Sequence, residues 1–210
     1  GQTASTKVAA DPTVLAVVGT NCSGAAFAAL PVISEAGLLM CSSSNTNPGL
    51  TDPDEGWFPG YFRTAHNDKF QGRVAAEFVF NELGATTAAT IHDGSPYADA
   101  LQQVFADTFV ELGGTVTFQG AVNVGDTDMR TILTSVAADS PDVLYFPIFE
   151  PEGDFIVAQA AEISGMEDTT LFGADGLLAD TFPENSGENV IGVYLSGPYV
   201  TGENYEAFLT

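Results

Sequence analysis

Short apolar runs rich in β-branched and aromatic residues alternate along this chain with longer segments whose apolar positions recur at helical spacing, which predicts strands alternating with helices. Val14 to Gly19 reads as a first strand and Gly24 to Glu35 as a helix, with Pro31 inside it expected to kink or break a turn. Leu38 to Cys41 is a second strand, followed by a polar loop from Ser42 to Pro59 and a short strand at Tyr61 to Arg63. Phe70, Val74 and Phe78 then recur at i, i+4, i+8 and predict the buried stripe of a helix ending at Gly84. Strands follow at Thr87 to His92, Val116 to Phe118, Val143 to Pro147, Leu171 to Gly173 and Val190 to Leu195. Between them lie helices marked by Leu101, Phe105, Phe109 and Leu112, by Ile132 and Val136, and by Ile156 to Ile163.

Strand and helix in such alternation imply an α/β fold of parallel sheets flanked by helices. Ligands of such folds sit beyond the carboxyl ends of the strands. The residues that follow the strands are therefore the candidates for function: Asn21-Cys22-Ser23-Gly24, Ser42 to Asn47, Asp93 to Tyr97, Phe149 to Glu152 and Ala174-Asp175-Gly176. Ser23 stands at a helix N-terminus, where free N–H groups favour an anion such as a carboxylate, although an ordinary capping serine fits the same position. Ser44, Asn45 and Thr46 belong to a loop with more donors and acceptors than a turn requires. Tyr97 and Phe149 can supply aromatic walls, and Asp175 can meet a cationic group.

Composition narrows the partners. The 210 residues carry 28 acidic and 5 basic side chains, a formal net charge of -23, which repels phosphate backbones and anionic lipid surfaces. A nucleic-acid partner is thereby excluded, and a surface so poor in lysine points to a saline habitat or to an ordinary acidic extracytoplasmic protein. No apolar run reaches the roughly 20 residues of a bilayer span, so no membrane insertion is expected of this segment. The chain opens without Met and without a leader-like segment, and the reading expects an upstream portion. Cys22 and Cys41 lack metal-site spacing, and whether they are bridged is open. Phosphate-loop and dinucleotide fingerprints are missing as well, so neither cofactor nor metal is expected.

The order of elements, with Val17-Val18-Gly19-Thr20-Asn21-Cys22-Ser23, Leu30-Pro31-Val32-Ile33-Ser34-Glu35-Ala36-Gly37, Tyr61-Phe62-Arg63-Thr64 and Phe172-Gly173-Ala174-Asp175-Gly176, resembles the branched-chain amino-acid-binding proteins of bacterial ABC transporters. The resemblance implies the two-lobed type I periplasmic-binding-protein fold with its first lobe incomplete: residues 1–64 in lobe I, 65–197 in lobe II and 198–210 returning to lobe I. It implies that Ser23 and Thr46 hold a ligand's α-carboxylate, and that the Ser44 carbonyl and Asp175 hold its ammonium. Tyr97 falls on a second-lobe tyrosine and Phe149 where another aromatic stands. Three departures accompany it. Asp175 is shorter than the glutamate common there, Phe149 lacks a tyrosine's hydroxyl, and Cys22 matches a cysteine that pairs in some members with an upstream partner.

The function so implied is capture of an amino acid or similar small polar solute by hinge closure, in the periplasm or outside the cell, for delivery to an ABC-transporter permease. A sensor or receptor domain for amides, urea or amino acids is the alternative, and the sequence does not separate the two. An enzyme is disfavoured. His92, Asp93 and Ser95 are neighbours along one loop without a nucleophile elbow, and nothing pairs Cys22 with His66 or His92.

Overall fold

The structure is a computed structural model, and it describes residues 1–198. Two parallel sheets organise the chain. The first has the order β1 (Ala16–Val18), β2 (Leu39–Ser42), β3 (Tyr61–Arg63). The second, in chain order β4 (Thr87–His92), β5 (Thr115–Ala121), β6 (Val143–Phe146), β7 (Thr170–Gly173) and β8 (Tyr194–Leu195), is arranged β5-β4-β6-β7-β8. The helices are α1 (Gln2–Ala9), α2 (Ser23–Glu35), α3 (Asp68–Asn81), α4 (Pro96–Glu111), α5 (Arg130–Ala137), α6 (Glu152–Ala160) and α7 (Thr181–Ser186).

The larger sheet is covered on both faces, as parallel sheets generally are. Side chains of β6 alternate between the two cores. Val143 and Tyr145 join Ala75, Val79, Leu101, Phe105 and Phe109 from α3 and α4, while Leu144 and Phe146 join Leu133, Val136, Ile156, Val157 and Phe182 from α5, α6 and α7. The chain leaves β4 toward β5 on one side and β6 toward β7 on the other. The crevice between β4 and β6 is thus the topological switch point where such sheets take ligands.

The smaller sheet is covered on one face only among the described residues. Met40 and Tyr61 pack with Ala26, Ala29, Leu30 and Ile33 of α2, whereas Val18, Leu39 and Phe62 on the other face are exposed. Helix α2 runs unbroken through Pro31, so the expected break at that residue is absent.

Three further expectations need correction. Phe70 and Val74 do not form a buried stripe: they are 70% and 58% exposed. The buried face of α3 is made of small residues, Gly72, Ala75 and Ala76, with Val79. A Cβ on Gly72 would come within 2.7 Å of a Val104 methyl, so the absence of a side chain lets α3 and α4 approach closely, and the large residues are pushed to the flank. The last strand is shorter than expected because a 3-10 turn over Gly187–Val190 and a left-handed Gly192 occupy its first half. Helix α1 was missed in the apolar pattern, since Ser5 is the one residue it buries. The proposed return segment, 198–210, lies outside the described residues apart from Pro198.

Candidate functional site

The loop after β2 is fixed by its own polar groups. The Ser42 hydroxyl, fully buried, donates to the Thr20 carbonyl at 2.7 Å and accepts from the N–H groups of Ser44 and Asn45 at 3.1 and 3.0 Å. Arg63, at the end of β3, sends one guanidinium nitrogen to the carbonyls of Asn45 (3.2 Å) and Asn47 (2.8 Å) and the other to the Thr51 hydroxyl (2.7 Å). Asn47 caps the following turn through the N–H of Gly49 and reaches across to the carbonyl of Pro96 at the start of α4. A loop so tied holds its hydroxyls in place at little further entropic cost when something binds.

Ser23 is the first residue of α2, and its hydroxyl accepts from the N–H of Asn47 at 3.2 Å. It lines a cavity of about 170 Å³ together with Cys22, Ser44, Tyr97, Phe149 and Asp175. A second chamber of about 520 Å³ is lined by Ser44, Thr46, Thr64, His66 and Asp175. Ser44 and Asp175 border both, so the two chambers form one cleft between the sheets. Asn45 is not brought to it: the side chain is buried, accepts from the hydroxyls of Thr20 and Tyr61 at 3.2 and 3.3 Å, and lines neither chamber. Its place is within the smaller lobe, bracing the loop.

The opposite wall is ionisable. Asp175 opens a short turn directly after β7. Its Oδ1 accepts from the Tyr97 hydroxyl at 2.6 Å and from Gln71 Nε2 at 2.7 Å. The same Gln71 nitrogen also faces the carbonyl and hydroxyl of Ser196, both at 3.2 Å. Gln71 Oε1 lies 2.5 Å from His66 Nε2. An amide oxygen only accepts, so His66 carries a proton on Nε2. Burial, reinforced by the neighbouring Asp175 charge, raises the Tyr97 phenol well above its ordinary value, and it remains a neutral donor. Its ring leans on Phe149 with centroids 5.0 Å apart, so the two aromatics form one wall rather than facing walls.

Several groups in or behind the cleft were not assigned to it by the sequence reading. The sequence offers His66 only as a conceivable partner for Cys22 and does not mark Gln71, and nothing in the spacing points to their joining Asp175 across more than a hundred residues. Asp68, at the first position of α3, is fully buried with neither carboxylate oxygen hydrogen-bonded among the described residues. Burial raises it to about 7, opposed by the nearby Thr46 hydroxyl, supported by the Asp175 charge and opposed again by Arg63. Both cysteines are free, Cys22 exposed at the cleft and Cys41 half-buried. No cluster able to hold a metal occurs among the described residues, and no helix among them is long and apolar enough to cross a membrane.

The profile of the family described as periplasmic binding protein matches residues 1–209. A Leu/Ile/Val-binding protein homolog of Brucella abortus is 31% identical over 193 residues, 92% of this chain and 50% of the relative. An amino acid binding protein of Pseudomonas aeruginosa is 30% identical over 173 residues, 82% of this chain and 45% of its own. Among solved structures, a leucine binding protein of Thermotoga maritima superposes with a TM-score of 0.91 at 26% identity, covering 99% of this chain and 59% of that one. A branched-chain amino acid transporter substrate binding protein of Streptococcus pneumoniae, in complex with isoleucine, gives 0.82 at 27% identity, with coverage of 99% and 59%. The chain spans about half the length of the curated relatives it matches. Matched from residue 1 to residue 209, and built of the same parallel sheets and helices as those solved structures, the chain belongs to the periplasmic binding protein family.

Proposed function

We propose that this chain forms the cleft of an extracytoplasmic solute-binding protein that captures an amino acid for uptake through an ABC-transporter permease, without any covalent step. Residues 1–64 are assigned to part of lobe I, 65–197 to lobe II and 198–210 to a return into lobe I. One observation carries the reading: Ser23 and Ser44 from the smaller sheet share a cavity with Tyr97, Phe149 and Asp175 from the larger one. Hydroxyls at the start of α2 and in the Ser42–Asn47 loop suit a carboxylate, which the helix N-terminus also favours. Asp175 suits an ammonium, with Oδ1 held by Tyr97 and Gln71 and Oδ2 turned to neither.

A ligand touching both lobes favours the state in which both sets of groups converge, so closure follows from differential contact. Charge-assisted hydrogen bonds contribute about 1.5–3 kcal/mol each, and a micromolar site needs about 8 kcal/mol net. A few such contacts with an apolar wall are sufficient. The relatives named for Leu, Ile and Val, and the isoleucine complex, support an aliphatic amino acid as the ligand. Calorimetry of the protein in its full natural length against aliphatic amino acids, other amino acids and small amides tests this. Asp175→Ala is expected to weaken the best amino acid at least about tenfold, roughly 1.4 kcal/mol. Unchanged affinity would remove Asp175 from the site, and a wild-type protein that binds no amino acid would overturn the reading.

A further inference from the structure

Asp68 is the acidic residue in the first turn of α3, where the helix dipole favours a carboxylate, but capping the helix is not its task. The start of α3 is already capped by Asn67, whose side chain accepts from the N–H of Lys69 at 2.8 Å. The Asp68 backbone N–H donates to the Thr46 carbonyl at 3.1 Å, which places the residue directly behind the hydroxyl loop. The charged groups that act on its carboxyl are Arg63 at the end of β3 and Asp175 after β7, and its own charge acts on two titratable neighbours, Tyr97 on α4 and Tyr145 on β6. Both tyrosines are kept neutral by burial. Arg63 directs its donors to two carbonyls and a hydroxyl, not to Asp68. The remaining charge is Asp175, of like sign. Ionised, Asp68 would be a fully buried carboxylate with the Thr46 hydroxyl nearby but no hydrogen bond of good geometry among the described residues, beside a second carboxylate, a costly arrangement that a bound proton relieves.

We propose that Asp68 is a second acid of the binding site that never touches the ligand: it keeps a proton while Asp175 is the cleft's unneutralised charge, and releases that proton to solvent when a ligand's ammonium settles against Asp175. One positive charge replaces another, so the account balances without any other reactant. The consequence is selection. A ligand with a cationic head gains from the ionised Asp68 behind it, and the matching 2-hydroxy acid, with no positive charge, does not. Its second consequence is pH linkage. Because binding releases a proton, affinity rises with pH, by up to about tenfold per unit below neutrality, and levels off above it.

The inference rests on the amino-acid reading of the cleft, and the test separates the two. Leucine is titrated calorimetrically into the full-length protein at about pH 6 and about pH 8, in buffers of different ionisation enthalpy, with leucine's 2-hydroxy acid as the uncharged-head control. Wild type is expected to bind leucine about tenfold more weakly at the lower pH, with buffer-dependent heat showing proton release, and the hydroxy acid to release none. Asp68→Asn, which mimics the protonated acid in size and charge, is expected to bind weakly and equally at both values. His66→Gln is expected to keep the slope, which assigns it to Asp68 rather than to the histidine lining the cleft. A flat wild-type profile, a slope that survives in Asp68→Asn, or one lost in His66→Gln would overturn the inference while leaving the cleft's function intact. Failure of wild type to bind leucine or any other amino acid would overturn both.

Discussion

The two sheets face one cleft with different chemistry and different support. The smaller sheet contributes hydroxyls and amides tied mostly within its own loop, through Ser42, Asn47 and Arg63, with the buried Asn45 amide nitrogen the exception. Its apolar support is a single layer against α2. The larger sheet, packed on both faces, contributes Asp175 and Tyr97, and at their rear stand groups with no hydrogen bond of good geometry among the described residues: both oxygens of Asp68 and the Tyr145 hydroxyl. Orphaned buried polar groups need a rigid surrounding that denies them an alternative, because a loose one would relax and hydrate them. The doubly covered sheet supplies that surrounding. The singly covered one carries polar groups most of which hold one another, through Ser42, Asn47 and Arg63.

That contrast can be broken first, and with the largest effect, at Asp68. Its carboxyl is raised from 3.8 to about 7 by burial, so between those values the folded chain holds a proton that the unfolded chain has lost. Stability of the unliganded protein from this group is therefore fully present below about pH 4 and is lost as pH rises through about 7. Asp68→Asn removes the titration and is expected to raise stability at pH 8 by on the order of 2–4 kcal/mol, read by urea denaturation at pH 5 and pH 8. Equal effects at the two values would show that the cost is not ionic.

A middle-sized effect is expected at the α3–α4 contact. Gly72→Val inserts side-chain atoms where a Cβ alone already meets Val104 at 2.7 Å, and overpacking of this kind costs about 1–3 kcal/mol. A fall in thermal midpoint checks it; a neutral result would mean that the helices are free to separate. The smallest effect is expected on the open face of the smaller sheet. Leu39 is 53% exposed there, and Leu39→Gln should shift stability by no more than about 0.5 kcal/mol. A larger loss in the full-length protein would show that this face is covered in the complete molecule.

The alternation of strand and helix, and with it the parallel sheets, was legible because each element carries its own period. β4 falls at Thr87–His92 as read, and the α4 stripe of Leu101, Phe105 and Phe109 is fully buried. The α3 stripe misled for an equally local reason. Periodicity shows that Phe70, Val74 and Phe78 share a side of the helix, and the partner decides which side is buried; Gly72 and the two alanines let α4 come close on the other.

Candidate site residues were found by their position after strands, a rule of topology that needs only the order of elements. Ser23, Ser44, Thr46, Tyr97, Phe149 and Asp175 all border the cleft, while Asn45, drawn from the same loop, turns inward. Which way one residue of a tight polar loop points depends on hydrogen bonds from Thr20 and Tyr61, distant in sequence.

The sequence by itself determined the fold class, the acidic character and the strand ends at which a ligand can sit, because hydrophobic period, charge and chain order are properties read residue by residue. Tertiary structure alone decided that Asp68 is buried with no hydrogen bond to its carboxylate among the described residues and that His66, Gln71, Asp175 and Tyr97 form one chain of hydrogen bonds. Burial and electrostatic coupling depend on distances between groups far apart along the chain, and those distances exist only once the two sheets have packed.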